Sequence, residues 1–162
     1  MPLTLVLGGA ASGKSSIAEG LIAAHGDDVV YIATGVVTDD DMAARVAAHK
    51  LRRPTTWETV ETNDLASALA PLAGRPVIVD SLGTLVAHTP DFAVDVDALK
   101  DAFAAREDAP TVVVSDEVGL GVHPETEVGR RFRDAMGHVN RHVGDVATEI
   151  LLVVAGRTLK IA

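Results

Sequence analysis

A run of small residues near the N-terminus ends in a lysine and a serine, a combination suited to binding phosphate. Gly8 and Gly13 are separated by four residues and followed by Lys14 and Ser15, which matches the pattern G-x-x-x-x-G-K-[ST] in full. Glycines let the backbone close around an anion with its amide hydrogens pointing inward. Lys14 is expected to neutralise the β- and γ-phosphates of a nucleoside triphosphate, and the Ser15 hydroxyl to hold Mg²⁺. The predicted nucleotide-contacting residues of this loop are Gly8, Gly9, Ala10, Ala11, Ser12, Gly13, Lys14, Ser15 and Ser16.

Acidic residues follow two other apolar runs and could provide the second anchor that Mg²⁺ needs. The run Val77–Asp80 ends in an aspartate, and Thr111–Ser115 is followed by Asp116 and Glu117. In open parallel sheets, ligands gather at the carboxyl ends of strands, so these acids are expected to converge on the phosphate loop. Asp80 could hold the metal or cap the following helix. Position alone also leaves Glu117 open as metal ligand, base or structural cap.

A histidine lies in a basic segment, residues 39–54, that opens with three aspartates and has the spacing of a helix. At about 100° per residue, Arg45, His49 and Arg52 share one third of the helix surface. Neighbouring cations disfavour the protonated imidazole, so a ring nitrogen of His49 stays available to attack phosphorus and form a covalent intermediate. The same cations would bind a triphosphate. The basic residues concerned are Arg45, Lys50, Arg52 and Arg53. From composition alone, a solvated basic helix face is the commoner explanation.

Apolar runs alternate with helix-like stretches along the chain, which predicts an α/β fold of the P-loop NTPase type. We expect a mostly parallel sheet with helices on both faces and a C-terminal antiparallel hairpin within Leu151–Ile161, all in a single domain spanning residues 1–162. The predicted strands are Leu3–Leu7, Val29–Ala33, Val77–Asp80, Thr111–Ser115 and Glu149–Ala155, with Thr56–Val60 as a further candidate. The predicted helices are Lys14–His25, Asp40–Leu51, Leu65–Leu72, Val96–Arg106 and Glu125–Val143, and His88–Asp95 is expected to be a surface loop.

Composition excludes several classes of protein. The 162 residues carry 14 Lys and Arg against 23 Asp and Glu, a net charge of −9 that argues against a broad nucleic-acid or anionic-membrane surface. The absence of cysteine rules out disulfides and thiolate metal sites. No apolar run reaches the roughly 18 residues of a membrane span, and there is no basic leader, so a cytoplasmic location is expected.

Several segments together resemble the bifunctional adenosylcobinamide kinase/adenosylcobinamide-phosphate guanylyltransferase family of cobalamin biosynthesis. The likeness runs almost end to end, through "LVLGGAASGKS", "VVYIATG", "DDDMAARVAAHKLRRPTTWETVE", "VIVDSLGTLV", "VVVSDEVGLGVHPETEVGRRFRDAMGHVN" and "EILLVVAGRTLKI". The phosphate loop is common to many families. The His-Lys-x-x-Arg-Pro-x-x-Trp run and the Asp-Glu-Val-Gly-x-Gly-x-x-Pro-Glu loop are much more specific.

The resemblance implies two reactions in sequence, with ATP, GTP and Mg²⁺ as cofactors. A nucleoside triphosphate first phosphorylates adenosylcobinamide, and GMP then passes from GTP through a guanylyl-histidine to adenosylcobinamide phosphate, giving adenosylcobinamide-GDP. The family histidine matches His49, the metal-side acid matches Asp80, and Glu61 is carried over as a nucleotide contact. The family also implies a homotrimer with active sites near subunit boundaries.

The chain departs from the family pattern at a few positions. Ala11 and Ala48 stand where the family often has arginine and a second histidine, Asp116 stands where asparagine is common, and the stretch 70–110 is short. A P-loop small-molecule kinase without the guanylyltransferase step is therefore the main alternative. A nucleotide-sensing switch module is a second one, although it leaves the cations around His49 unexplained.

Overall fold

The computed structural model describes residues 3–35, 43, 47, 51, 53–106 and 108–162. Elements are numbered along these residues. The strands are β1 (Leu3–Gly8), β2 (Val30–Thr34), β3 (Glu58–Thr62), β4 (Val77–Asp80), β5 (Thr111–Asp116), β6 (Glu149–Val154) and β7 (Arg157–Lys160). The helices are α1 (Lys14–Ala23), α2 (Leu65–Leu69), α3 (Leu82–His88), α4 (Val96–Ala104) and α5 (Glu127–Gly144), with 3₁₀ turns at Ala70–Leu72 and Pro90–Phe92.

The strands form one sheet in the order β3-β2-β4-β5-β1-β6-β7. Neighbours from β3 to β6 pair in parallel, and β7 pairs antiparallel with β6 at the edge. The predicted parallel sheet with a C-terminal antiparallel hairpin is therefore confirmed. Because β1 lies between β5 and β6, the loop after β1 leaves the carboxyl edge near the middle of the sheet.

Helices cover both faces, as predicted. Side chains alternate between the two faces along each buried strand, because successive Cβ atoms of a strand point to opposite sides. One face packs against α1, and its buried residues include Val6, Ala18, Ile22, Tyr31, Trp57, Ile78, Val114 and Val153. The other packs against the remaining helices, and its buried residues include Leu5, Ile32, Val79, Leu82, Leu99, Val113 and Met136. The phosphate loop leads directly into α1, so the first face is the one that the site shares.

Polar side chains fix where the helices begin. Asp64, Asp95 and Thr126 precede α2, α4 and α5, and each accepts a hydrogen bond from the backbone N–H three residues later. Such caps satisfy amide groups that have no partner within the helix.

The helices differ from the prediction in two places. The helix α3 was not predicted, because its short Leu82–His88 sequence includes Gly83 and Thr84. His88 is its last residue rather than the start of a loop, and Pro90–Phe92 forms a 3₁₀ turn. The predicted helix Leu65–Leu72 gives way to a 3₁₀ turn at Ala70, next to Pro71.

The predicted helix Asp40–Leu51 lies almost wholly outside the described residues. Of that segment, Ala43, Ala47 and Leu51 are described, and all three are helical and exposed. In the part of the chain that the structure describes, no helix combines the length and apolar character that a membrane span requires.

Candidate active site

The phosphate loop closes between the end of β1 and the start of α1. Gly13 caps α1 with a φ of 94°, a left-handed conformation that glycine adopts without strain, and its carbonyl accepts from the Ile17 amide at 3.1 Å. A Cβ at position 8 would lie 2.5 Å from the Ser12 Oγ, so only glycine fits there. The Ser12 Oγ is buried and has no hydrogen-bond partner among the described residues. The predicted loop, residues 8–16, is thus one cradle with polar groups available to an anion.

Lys14 folds back over this loop. Its Nζ donates to the Gly9 carbonyl at 3.2 Å and lies 2.8 Å from Oδ1 of Asp116. The two side chains are largely buried, with exposed fractions of 12% and 28%. The lysine ammonium is therefore held at the loop, between a backbone carbonyl and a carboxylate.

Asp116 is more central to the site than the sequence indicated. A Cβ at position 83 would lie 1.8 Å from Asp116 Oδ2, so the carboxylate rests directly on Gly83 at the start of α3. Ser81 Oγ is 3.5 Å from the same oxygen. Asn140 of α5 donates to the Asp116 carbonyl at 3.0 Å and accepts from Ser115 Oγ at 2.5 Å, which anchors the end of β5. The glycine three residues after Asp80 was the sequence signal for this close approach.

Glu117 has contacts of a structural kind. Its Oε1 accepts from the Gly119 amide at 2.6 Å, and its own amide donates to the Gly8 carbonyl at 3.0 Å. Of the roles left open for Glu117, capping its own turn is the one these contacts support. The amide bond also ties the loop after β5 to the start of the phosphate loop.

Asp80 lies at the carboxyl end of β4, between β2 and β5. Its Oδ2 accepts a hydrogen bond of 2.7 Å from the hydroxyl of Tyr31. The suggestion that Asp80 caps the following helix is wrong, because Ser81 does so: its side chain accepts from the Thr84 amide at 3.4 Å. The cap of α3 is therefore Ser81, and the Asp80 carboxylate contacts Tyr31 instead.

Ser15 and Asp80 have the chemistry expected of a nucleotide-dependent Mg²⁺ site. Among the described residues, no group of three or more His, Cys, Asp or Glu side chains could hold a metal ion. Mg²⁺ bound with a nucleotide needs only one or two protein oxygens, since phosphates and water supply the rest. A serine hydroxyl at the start of α1 and a carboxylate at the end of β4, which β5 separates from β1, fit that requirement.

The remaining predicted site residues fall into three groups. Glu61 is exposed near the end of β3, and β2 separates it from the strand that carries Asp80. His49, Arg45, Lys50 and Arg52 lie outside the described residues. Arg53 is described and non-helical, with its guanidinium carbon 3.3 Å from the centroid of the Tyr31 ring.

Some residues near Lys14 and Asp80 were not predicted from the sequence. Tyr31 and Glu19 were not identified as site residues, because a tyrosine in a strand and a glutamate in a helix give no motif. The β6–β7 turn also touches the phosphate loop, since the Gly156 amide donates to the Ser12 carbonyl at 2.9 Å.

The chain is similar over nearly its whole length to proteins of one family. The sequence model of the family described as cobinamide kinase / cobinamide phosphate guanyltransferase matches residues 4–161. The bifunctional adenosylcobalamin biosynthesis protein CobU of Escherichia coli K12 is 37% identical over 180 residues, covering 98% of this chain and 99% of that protein. The protein of the same name from Salmonella typhimurium LT2 is also 37% identical, over 182 residues with the same coverage. The related CobP of Pseudomonas aeruginosa PAO1 is 36% identical over 94% of this chain and 92% of its own.

Solved structures support the fold. The P4 protein of bacteriophage phi6, solved in complex with ADP, aligns with a TM-score of 0.52 at 19% identity, over 98% of this chain and 54% of that one. A KaiC-like protein from Pyrococcus horikoshii aligns with a TM-score of 0.54 at 14% identity, over 93% and 71%. At these identities the likeness concerns the fold alone, and it agrees with the predicted P-loop architecture.

Proposed function

Because this chain belongs to the cobinamide kinase / cobinamide phosphate guanyltransferase family, we propose that it catalyses two successive transfers to adenosylcobinamide. In the first, the hydroxyl oxygen of the aminopropanol arm attacks the γ-phosphorus of ATP. The bond from that phosphorus to its bridging oxygen breaks, the hydroxyl proton is lost, and a nucleoside diphosphate leaves. In the second, GMP passes from GTP to adenosylcobinamide phosphate, with release of pyrophosphate and formation of adenosylcobinamide-GDP.

The observation that carries this proposal is the position of Lys14, in a chain that matches the family from residue 4 to 161. Its ammonium lies against the Gly9 carbonyl and the Asp116 carboxylate, where it can neutralise a phosphate group that displaces the carboxylate. Loop amides and the N-terminus of α1 add further positive potential at the same point. Ser15 and Asp80 would hold Mg²⁺, which when bound neutralises charge on the phosphates.

His49 is proposed as the nucleophile of the second transfer. A neutral ring nitrogen forms a bond to the α-phosphorus of GTP while the bond to the bridging oxygen breaks, and pyrophosphate departs. A phosphate oxygen of adenosylcobinamide phosphate then attacks the same phosphorus, the nitrogen–phosphorus bond breaks, and the free imidazole returns. Arg45, Lys50 and Arg52 are assigned to neutralising the charge that develops on the departing pyrophosphate. The support for these roles is the family resemblance of the basic segment and the chemistry of its residues.

We also propose which nucleotide and metal each step uses, and the location and oligomeric state of the enzyme. We assign ATP to the kinase step, GTP to the guanylyl transfer, and Mg²⁺ to both, in a cytoplasmic homotrimer. Light scattering on the purified protein tests the oligomeric state, with three times the 16.8 kDa chain mass as the expected value.

A product assay tests the proposed activity. We expect purified protein with adenosylcobinamide, ATP, GTP and Mg²⁺ to form adenosylcobinamide-GDP, and omission of GTP to favour adenosylcobinamide phosphate. A Lys14→Ala variant is the matched control and should form neither product. Phosphate transfer without any guanylylated product, in the presence of both nucleotides, would support the kinase-only alternative instead.

A further inference from the structure

Asp80, Tyr31, Arg53 and Glu19 form one connected row across the first face of the sheet, from the strand end that carries Asp80 to the helix that carries Ser15. Tyr31 joins Asp80 to Arg53 in this row. Its exposed fraction is 4%, its hydroxyl donates to Asp80 Oδ2 at 2.7 Å, and its ring carries the guanidinium of Arg53 at 3.3 Å from the centroid. Arg53 also contacts α1, because its Nε lies 3.9 Å from Oε1 of Glu19 in that helix.

The strand register explains why Tyr31 reaches the metal-side acid. Tyr31 pairs with Ile78 on the adjacent strand, and Asp80 lies two residues further along that strand on the same face. An aromatic side chain is long enough to reach such a diagonal neighbour on the next strand. The tyrosine ring therefore lies in the apolar core while its hydroxyl reaches the polar edge.

Arg53 extends the row to α1, the helix that follows the phosphate loop. Its side chain has an exposed fraction of 6%, and that of Glu19 has 12%. Glu19 is four residues after Ser15, so both lie on the same face of α1. A guanidinium stacked on a tyrosine and facing a carboxylate is a favourable arrangement, because its flat face is weakly hydrated and its edge keeps the charge contact.

We propose that Tyr31 is a positioning residue for the metal site, fixing the Asp80 carboxylate through its hydroxyl and linking it through Arg53 and Glu19 to the helix that carries Ser15. This inference rests on the proposed role of Asp80 and Ser15 in holding Mg²⁺. It also gives Arg53 a different task from its basic neighbours: Arg53 braces the site from within the core instead of contacting the triphosphate.

The protonation state of the Tyr31 hydroxyl agrees with this role. Burial, followed by the negative charge of Asp80, raises the pKa of Tyr31 far above its usual range. The hydroxyl is therefore protonated and donates to the carboxylate throughout the physiological pH range. A donor in this position holds one carboxylate oxygen still and thereby orients the whole group.

A conservative substitution separates this role from simple packing. Tyr31→Phe keeps the ring, and with it the support for Arg53, but removes the hydrogen bond to Asp80. Binding of a non-hydrolysable GTP analogue is measured by calorimetry across a Mg²⁺ titration and again in EDTA. We expect the Mg²⁺ concentration at half-maximal effect to rise about tenfold, the low end for loss of a hydrogen bond that orients a metal ligand. Affinity in EDTA should stay unchanged.

Arg53→Lys tests the stacking of Arg53 on Tyr31, because lysine keeps the charge but loses the flat guanidinium. The same Mg²⁺-dependent shift, with unchanged affinity in EDTA, is expected. Loss of affinity in EDTA would mean that Arg53 contacts the triphosphate directly, and would overturn the positioning role assigned to it. Ile78→Val, which trims the strand partner of Tyr31 without touching a polar group, is the matched control and should titrate like the unmodified protein.

Asp80→Asn separates the proposed role of Asp80 in holding Mg²⁺ from the proposed role of Tyr31 in positioning Asp80. A shifted Mg²⁺ titration in Asp80→Asn and an unshifted one in Tyr31→Phe would overturn the role of Tyr31 while leaving Asp80 as the metal-side acid. If Asp80→Asn itself binds Mg²⁺ and nucleotide normally, the assignment of Asp80 fails and the role of Tyr31 fails with it.

Discussion

Replacing Asp116 with asparagine should tighten nucleotide binding, even though Asp116 lies at the centre of the site. Its carboxylate contacts the Lys14 ammonium at 2.8 Å, on the side where we expect a phosphate to bind. A nucleotide must displace this contact before Lys14 can neutralise its phosphates. Asparagine has nearly the same shape but no charge, so it holds Lys14 less strongly and repels phosphate less.

The size of the effect follows from the geometry. At 2.8 Å, the gross attraction between two unit charges is about 6 kcal/mol for an effective dielectric constant of about 20. Desolvation and partial exposure cancel most of it, and a hydrogen bond to a charged group contributes about 1.5 to 3 kcal/mol net. Asparagine retains part of the contact, so the low end applies. That corresponds to roughly a tenfold lower Kd for the nucleotide.

The assay is calorimetric titration with a non-hydrolysable GTP analogue in EDTA, where no metal contributes to the affinity. Asp91→Asn is the control, since it removes an exposed ion pair of similar length, 3.1 Å to Arg131. An unchanged or weaker affinity in Asp116→Asn would refute the idea that Asp116 competes with phosphate for Lys14. If Asp116→Asn binds the nucleotide more weakly only when Mg²⁺ is present, Asp116 also contributes to the metal site.

Three further substitutions test contacts that stabilise the fold. Gly83→Ala would place a Cβ 1.8 Å from Asp116 Oδ2 and force that carboxylate away, so we expect a loss of about 1 to 3 kcal/mol in denaturant unfolding. Arg106→Ala should cost about 3 kcal/mol in the same assay, because Arg106 is only 4% exposed and its guanidinium donates to two backbone carbonyls and a threonine hydroxyl that would lose their donors. Hydrogen bonding from the Ser67 side chain, followed by that from the Ser67 amide, lowers the pKa of Asp64 below its usual 3.8, so the charged Asp64 cap stabilises the fold above that pH. This contribution is lost as the pH falls through the pKa of the folded state. Unfolding curves should therefore show the native protein losing stability relative to Asp64→Asn in that acid range.

The sheet and the phosphate loop could be predicted because their signals are local. An apolar strand, a glycine-rich turn and a helix follow one another within residues 3–23, and each has its own sequence pattern. The buried strands are short Val-rich runs, which a parallel sheet covered on both faces requires. The C-terminal hairpin was likewise indicated by Ala155 and Gly156 between two apolar runs.

The contacts that organise the site could not be predicted in the same way, because they depend on strand order and register. Nothing near Tyr31 in sequence indicates that its hydroxyl reaches Asp80, 49 residues away. Asp116 and Glu117 are adjacent and chemically alike, yet one contacts Lys14 and the other caps its own turn. That difference comes from the alternation of side chains at the end of β5, which is fixed only once β5 is paired with β1.

The central claim is that His49 carries GMP during the second transfer, and covalent labelling tests it most directly. The purified protein is incubated with Mg²⁺ and GTP labelled on the α-phosphorus, then run on a denaturing gel beside a His49→Ala sample. A parallel incubation with γ-labelled GTP separates guanylylation from phosphorylation. We predict label retained from the α position, released by acid and absent from the variant. No α label in protein that still binds nucleotide would contradict the claim and leave a kinase in which the basic segment only positions phosphate.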